Sequence, residues 1–141
     1  MSNIAAIEHE IVEDFDLFDD WTEKYQYIIE LGQQLKPLEA QYKTDDRKIT
    51  GCQSSVWLHA YTKDGLVFFE SDSDSTFVKG EIALLIKVLS GQAPEEIIKA
   101  ELNFIDAIGL RQHMAVTRAN GLASMIKQMK LYAVGFQSQT A

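Results

Sequence analysis

The sequence predicts an α+β domain, a small antiparallel sheet of about three strands packed with helices. Three observations predict it. Apolar residues recur at helical spacing before residue 35 and again after residue 78. Between these stretches, from Ser55 to Thr62, the period drops to two. The tight-turn tripeptide Lys63-Asp64-Gly65 then sends the chain back through Leu66 to Glu70, because Asp-Gly tolerates the positive φ of a short hairpin.

The elements follow in order. Ile4, Ile7, Ile11 and Phe15 mark a short amphipathic helix. Phe18, Trp21, Tyr25, Ile28, Ile29 and Gly32 carry the period through a second helix, ended by Pro37 and the polar run Lys43 to Lys48. In the first strand Val56, Leu58 and Ala60 alternate with Trp57, His59 and Tyr61, and Trp57 and Tyr61 share a face that reads as core. An edge strand around Arg47 to Thr50 supplies the third member, since a lone hairpin is marginal in water. Asp72 to Thr76 mimics a calcium loop and fails as one: the position needing glycine is Phe77 and the bidentate acid position is Ala83. The segment reads instead as the cap of a helix through Val78, Ile82, Leu85, Ile86 and Leu89, with Asp74 or Ser75 as capping residue and Gly91 at C′. Pro94-Glu95-Glu96 suits another helical first turn. Asn103 and Asp106 can cap a short helix that Gly109 stops. Leu122, Met125, Ile126, Met129, Tyr132 and Ala133 form the stripe of the last helix, with Thr117 as N-cap and a tail fraying from Gln137.

At 141 residues and 15.9 kDa, with no repeat and no linker-like stretch, residues 1–141 read as a single domain. A single cysteine excludes an internal disulfide and a multi-cysteine metal site, so no metal is expected. No apolar run spans a bilayer, and Met1 to Glu10 lacks a basic segment followed by an apolar one; the expected compartment is the reducing cytoplasm, with no membrane partner. The net charge of −8 argues against nucleic acid. Residues 1–30 carry nine acids and one base, while Ala107 onward carries four bases and no acid. Acids favour solvated helix starts; the same pattern also makes an acidic face for a basic partner.

Cys52 lies in Thr50-Gly51-Cys52-Gln53-Ser54-Ser55, a polar junction leading into a strand. Flanked by Gly and Gln, it sits on a loop tip rather than among apolar neighbours, which leaves a reactive and an incidental thiol equally open. A hydrolase nucleophile needs a histidine base. His59 stands seven residues on, about 23 Å along a straight strand; His9 lies in an acidic helix, and nothing in the pattern brings His113 close. Arg118 is a cation in a helical first turn, where it opposes the dipole. It calls for a partner, either an ion pair with Asp72 or Asp74 or an anion held beside the free amides of the turn.

On these residues the chain resembles a known family. Gly51-Cys52-Gln53-Ser54 followed by Val56-Trp57-Leu58 is similar to the signature of the SufE sulfur-acceptor proteins. Three further blocks match in order: Trp21 to Tyr25 with Ile28 to Gly32, Asp72 to Asp74 with Val78 to Gly80, and Arg118 to Leu122. Two departures stand out, Ala115-Val116-Thr117 where the family usually has a Ser/Pro-containing run, and Ala93 where a hydroxyl residue commonly precedes Pro94.

The resemblance implies a fold similar to SufE and the IscU scaffolds. It implies that Cys52 accepts sulfane sulfur as a persulfide from a pyridoxal-phosphate cysteine desulfurase of the SufS type. The chain would stimulate that enzyme and pass the sulfur to a SufBCD-type scaffold for iron–sulfur cluster assembly. Gly51, Gln53, Ser54, Asp74 and Arg118 match positions in or near the acceptor loop. Pyridoxal phosphate belongs to the partner, so this chain needs no cofactor and is a carrier rather than an enzyme. The competing class is an adaptor that stimulates a desulfurase allosterically without carrying sulfur; monomer and homodimer both stay open.

Overall fold

The computed structural model describes residues 3–49, 54–114 and 116–140. Among the described residues, six helices surround one hairpin. Helix α1 (Asn3–Phe15) buries Ile4, Ile11 and Phe15. Helix α2 (Trp21–Gln33) starts three residues later than the apolar period suggests, because the Asp20 side chain caps it by accepting the Glu23 N–H at 2.9 Å. It ends before Pro37, and two 3-10 turns, Ala40–Tyr42 and Asp45–Arg47, fill the polar run.

Strands β1 (Val56–Lys63) and β2 (Leu66–Ser73) pair antiparallel through a two-residue turn, Asp64 at φ 54° and Gly65 at φ 78°. Of the expected third strand, Thr50 lies outside the described residues, and among the described ones there is a single bridge, Lys48 to Trp57, with the Ile49 N–H donating to the Val56 carbonyl at 2.8 Å. The opposite edge is likewise closed by one bridge, Val67 to Gln92. The hairpin escapes marginality through packing: Val56, Leu58, Val67 and Phe69 turn into the helical core.

The face carrying Trp57, His59 and Tyr61 is not core. Tyr61 is exposed. Tyr42 stacks on His59 at 3.9 Å, and Lys43 lies 5.6 Å over the Trp57 ring, so the 3-10 segment roofs part of this face. Strand β2 runs three residues beyond Glu70, burying Ser71, Asp72 and Ser73. Asp72 can be buried because it accepts N–H bonds from Leu38 and Ser73 and pairs with Lys43 at 3.1 Å and Lys79 at 3.6 Å.

Helix α3 (Thr76–Leu89) is capped by Ser75, whose hydroxyl accepts the Val78 N–H. It crosses α2 where two glycines meet. A Cβ on Gly80 would overlap the Ile28 carbonyl, and one on Gly32 would sit 2.6 Å from the Gly80 nitrogen. Gly91 takes φ 81° as expected, but its N–H goes across to the Val67 carbonyl rather than back to the helix.

Helix α4 (Pro94–Lys99) begins with Pro at its first position and no capping side chain on Ala93. Helix α5 (Phe104–Ala107) is not capped by the Asn103 side chain, which turns to Glu101, and Glu8 of α1 accepts the Phe104 N–H instead. Helix α6 (Val116–Thr140) begins one residue before Thr117, so Thr117 is inside it and not its cap. The helix continues through the stretch expected to fray. Lys130 on α6 donates to the Ile98 and Ala100 carbonyls, tying down the end of α4.

Candidate functional site

The start of β1, the start of α3 and the first turns of α6 converge on one cavity of about 60 Å³. Ser54 and Val56 line it from the strand side, Val78 and Glu81 from α3, and Arg118 and Met125 from α6. Ser75 fixes the start of α3, while Asp74, the other cap candidate, bridges to the strand. Its carboxylate accepts the Ser55 N–H at 3.1 Å, and its own N–H donates to the Ser55 carbonyl at 3.3 Å. That reciprocal pair fastens the residue just before β1 to the top of α3.

Gly51, Cys52 and Gln53 lie outside the described residues. Ser54 sits at the cavity.

Arg118 pairs with neither Asp72 nor Asp74. Asp72 is taken by the two lysines and two backbone amides, and Asp74 by Ser55. Burial alone would raise the Asp72 carboxyl, but the Ser73 N–H, Lys43 and the Leu38 N–H outweigh it and hold the group below its ordinary range. Arg118 lies at the exposed rim with its guanidinium carbon 4.9 Å from the centre of the Phe77 ring. Phe77 in turn stacks on Tyr25 at 4.6 Å. The aromatic quadrupole compensates the cation that the helix dipole disfavours.

Glu81 belongs to the site and was missed from the sequence. It is 5% exposed, and among the described residues its Oε2 has no hydrogen-bond partner. Burial pushes its carboxyl up to about 7, against a smaller opposing pull from Arg118. The signal was there: Glu81 falls on the apolar stripe, three residues after Val78 and four before Leu85.

The histidines are engaged elsewhere, and none lines the cavity. His9 pairs with Glu13 on α1, His59 lies under Tyr42, and His113 stacks on Trp21 at 4.2 Å with Nδ1 2.9 Å from the Gly109 carbonyl. No group of three metal-ligating side chains occurs among the described residues. No helix among them is long and apolar enough to cross a membrane.

The family model for the SufE, Fe-S metabolism associated domain matches residues 9–133. This chain belongs to the SufE family. An uncharacterised SufE-like protein of Rhizobium meliloti is 37% identical over 131 residues, covering 89% of this chain and 94% of that protein. A SufE-like protein of Synechocystis is 38% identical over 127 residues, covering 90% and 80%. SufE-like protein 1 of Arabidopsis thaliana, named as chloroplastic/mitochondrial, is 39% identical over 126 residues; the match covers 89% of this SufE-family chain but 34% of the plant protein. The fold is also that of a hypothetical protein from Thermus thermophilus solved in solution, with a TM-score of 0.77 at 19% identity over 94% of this chain and 96% of that one. SufE membership ties the chain to iron–sulfur metabolism and makes the Cys52 segment, Asp74, Glu81 and Arg118 the residues to test.

Proposed function

We propose that the chain is a sulfur carrier in iron–sulfur metabolism. It takes sulfane sulfur from a pyridoxal-phosphate cysteine desulfurase onto Cys52, stimulates that enzyme by emptying it, and hands the sulfur to a SufBCD-type scaffold. The pyridoxal phosphate stays with the desulfurase, and this chain uses no cofactor of its own. The observation that carries the reading is the family's acceptor sequence, Gly51-Cys52-Gln53-Ser54, joined at Ser54 to a cavity rimmed by Arg118.

The chemistry is an exchange without net oxidation. The Cys52 thiolate attacks the outer sulfur of the partner's cysteine persulfide. A new S–S bond forms on Cys52, the partner's S–S bond breaks, and the partner's cysteine leaves as thiolate. The proton lost from Cys52 on ionisation is matched by the one the leaving thiolate takes up. Gly51 lets the backbone turn sharply and approach another molecule closely. The product persulfide is more acidic than a thiol, and the Arg118 cation at the first turn of α6 favours its anion.

Mass spectrometry of the chain after incubation with a cysteine desulfurase and cysteine tests the proposal. One added sulfur is expected on the parent and none on Cys52→Ser, which should still bind the desulfurase within a few-fold because a docking surface is spread over many residues. If Cys52→Ser stimulates turnover as well as the parent without an added reductant, the carrier mechanism fails and the adaptor reading replaces it.

A further inference from the structure

The charge segregation of the sequence has a spatial counterpart that takes no part in the sulfur exchange. Between Glu13 and Glu23 the chain holds six acids and no base. This stretch forms the end of α1, the connecting turn and the start of α2. At its tip Leu17 is 80% exposed, with Asp16, Asp19 and Asp20 exposed around it. A single exposed leucine is ordinary on a protein surface. What singles this one out is a recess of matching chemistry on the same chain.

The recess lies on α6. Beside the stripe that packs on the core, the helix carries a second one, Ile126, Leu131 and Val134, which lines a shallow groove of about 380 Å³. Leu131 is 51% and Val134 44% exposed. Arg111, Lys127 and Lys130 add positive charge to the groove. Arg111 shares its charge with Asp106 at 3.0 Å. Lys130 donates to the Ile98 and Ala100 carbonyls, neutral groups that leave its charge in place. No acid occurs anywhere along α6.

Corner and groove are neighbours on one surface. Trp21, at the start of α2, stacks on His113 at 4.2 Å, and His113 closes the 3-10 turn that Arg111 opens. Two complementary patches side by side suit a two-fold dimer. A second copy rotated by 180° about an axis between the patches sets each corner against the other copy's groove, so the contact forms twice and closes. Groove against groove would instead bring like charges together. The net charge of −8 on each copy opposes association at long range. At physiological salt that repulsion is screened beyond about 8 Å, so the charges that face each other directly decide the outcome.

We propose that this surface is a self-association face: the Leu17 corner of one copy seats in the α6 groove of a second, its aspartates against Lys127 and Lys130, and the same contact repeats across a two-fold axis.

Sedimentation equilibrium of the full chain, from about 5 to 200 µM in 150 mM salt, tests the proposal. The parent should show a reversible monomer–dimer equilibrium. Leu17→Ser on the corner and Lys127→Glu on the groove should each weaken it tenfold or more, since an anchor and its facing charge carry a large share of such a contact. Both positions are exposed, so neither change disturbs the fold. Asp16→Lys combined with Lys127→Glu puts opposite charges back across the face and should recover much of the loss, which damage to the fold would not. A parent that stays monomeric throughout overturns the proposal and leaves the groove to a different protein. A dimer that either single substitution leaves unweakened also overturns it, by placing the interface elsewhere. Species larger than a dimer that grow with concentration overturn the two-fold arrangement, because an open head-to-tail contact produces them.

Discussion

Asp74 and Ser55 exchange two hydrogen bonds across the gap between α3 and β1, one to the carboxylate at 3.1 Å and one between backbones at 3.3 Å. They are nineteen residues apart in the chain. This clasp fastens the residue just before β1 to the start of α3. Asp74→Ala removes the side-chain half and leaves the Ser55 N–H without its acceptor. Hydrogen exchange should rise at residues 54–56 and 74–80 while the rest of the pattern holds. Unchanged exchange in both segments would take Asp74 out of the site.

Gly80 is the tightest point of the α2–α3 crossing, where any side chain meets the Ile28 carbonyl. Gly80→Ala ordinarily gains helix propensity, but here the two backbones must separate. The overlap is with backbone, which cannot swing aside, so chemical denaturation should show a loss of about 2–3 kcal/mol. A neutral or stabilising result would mean that the crossing adjusts without cost.

Glu81 makes stability depend on pH in an unusual direction. Its folded carboxyl holds a proton up to about 7, whereas the unfolded one releases it near the ordinary glutamate value of about 4.3. Between those two values the native state binds more protons than the unfolded state, so its contribution falls as pH rises and levels off above the folded pKa. The full span is at most about 4 kcal/mol. Glu81→Leu should remove that slope and be more stable than the parent at pH 8, measured by urea unfolding at pH 5, 6.5 and 8. A parent whose advantage over the variant grows from pH 5 to 8 would contradict this.

Asp72 acts with the opposite sign. Its folded carboxyl is held below the usual aspartate range, so it stabilises above about pH 4 and that contribution is lost as pH falls through the lowered value. Asp72→Asn should cost about 2 kcal/mol at pH 7, since it weakens acceptance from two buried amides and frees two half-exposed lysines. The difference between parent and variant should shrink toward pH 3. A constant difference would assign the loss to shape rather than charge.

Arg118 has no ion pair to lose among the described residues, and its stacking on Phe77 is at the exposed rim. Arg118→Ala should therefore leave stability within about 1 kcal/mol, the worth of one exposed cation–π contact. It should still slow persulfide formation on Cys52 in a timed mass-spectrometric assay. A stability loss above roughly 3 kcal/mol would make the residue structural.

The amino-acid sequence by itself determines the α+β class, the positions of the helices and the hairpin turn, because each is written in local periodicity. Ile4 to Phe15, Leu122 to Ala133 and the Asp64-Gly65 turn are legible without any distant neighbour. The family also declares itself in short blocks such as Gly51 to Ser54. What the sequence leaves open are the pairings between segments far apart in the chain. Trp57 and Tyr61 alternate as core residues would, yet which face of a strand is buried depends on what packs against it, and the helices took the other face. The edge around Lys48 has strand-like neighbours but among the described residues makes one bridge, to Trp57. Arg118 asked for a counter-charge, and tertiary packing supplied an aromatic ring. Glu81 is an ordinary helix residue in one dimension. Only the closure of α6 over α3 and the start of β1 strips its water and turns it into a titrating group at neutral pH.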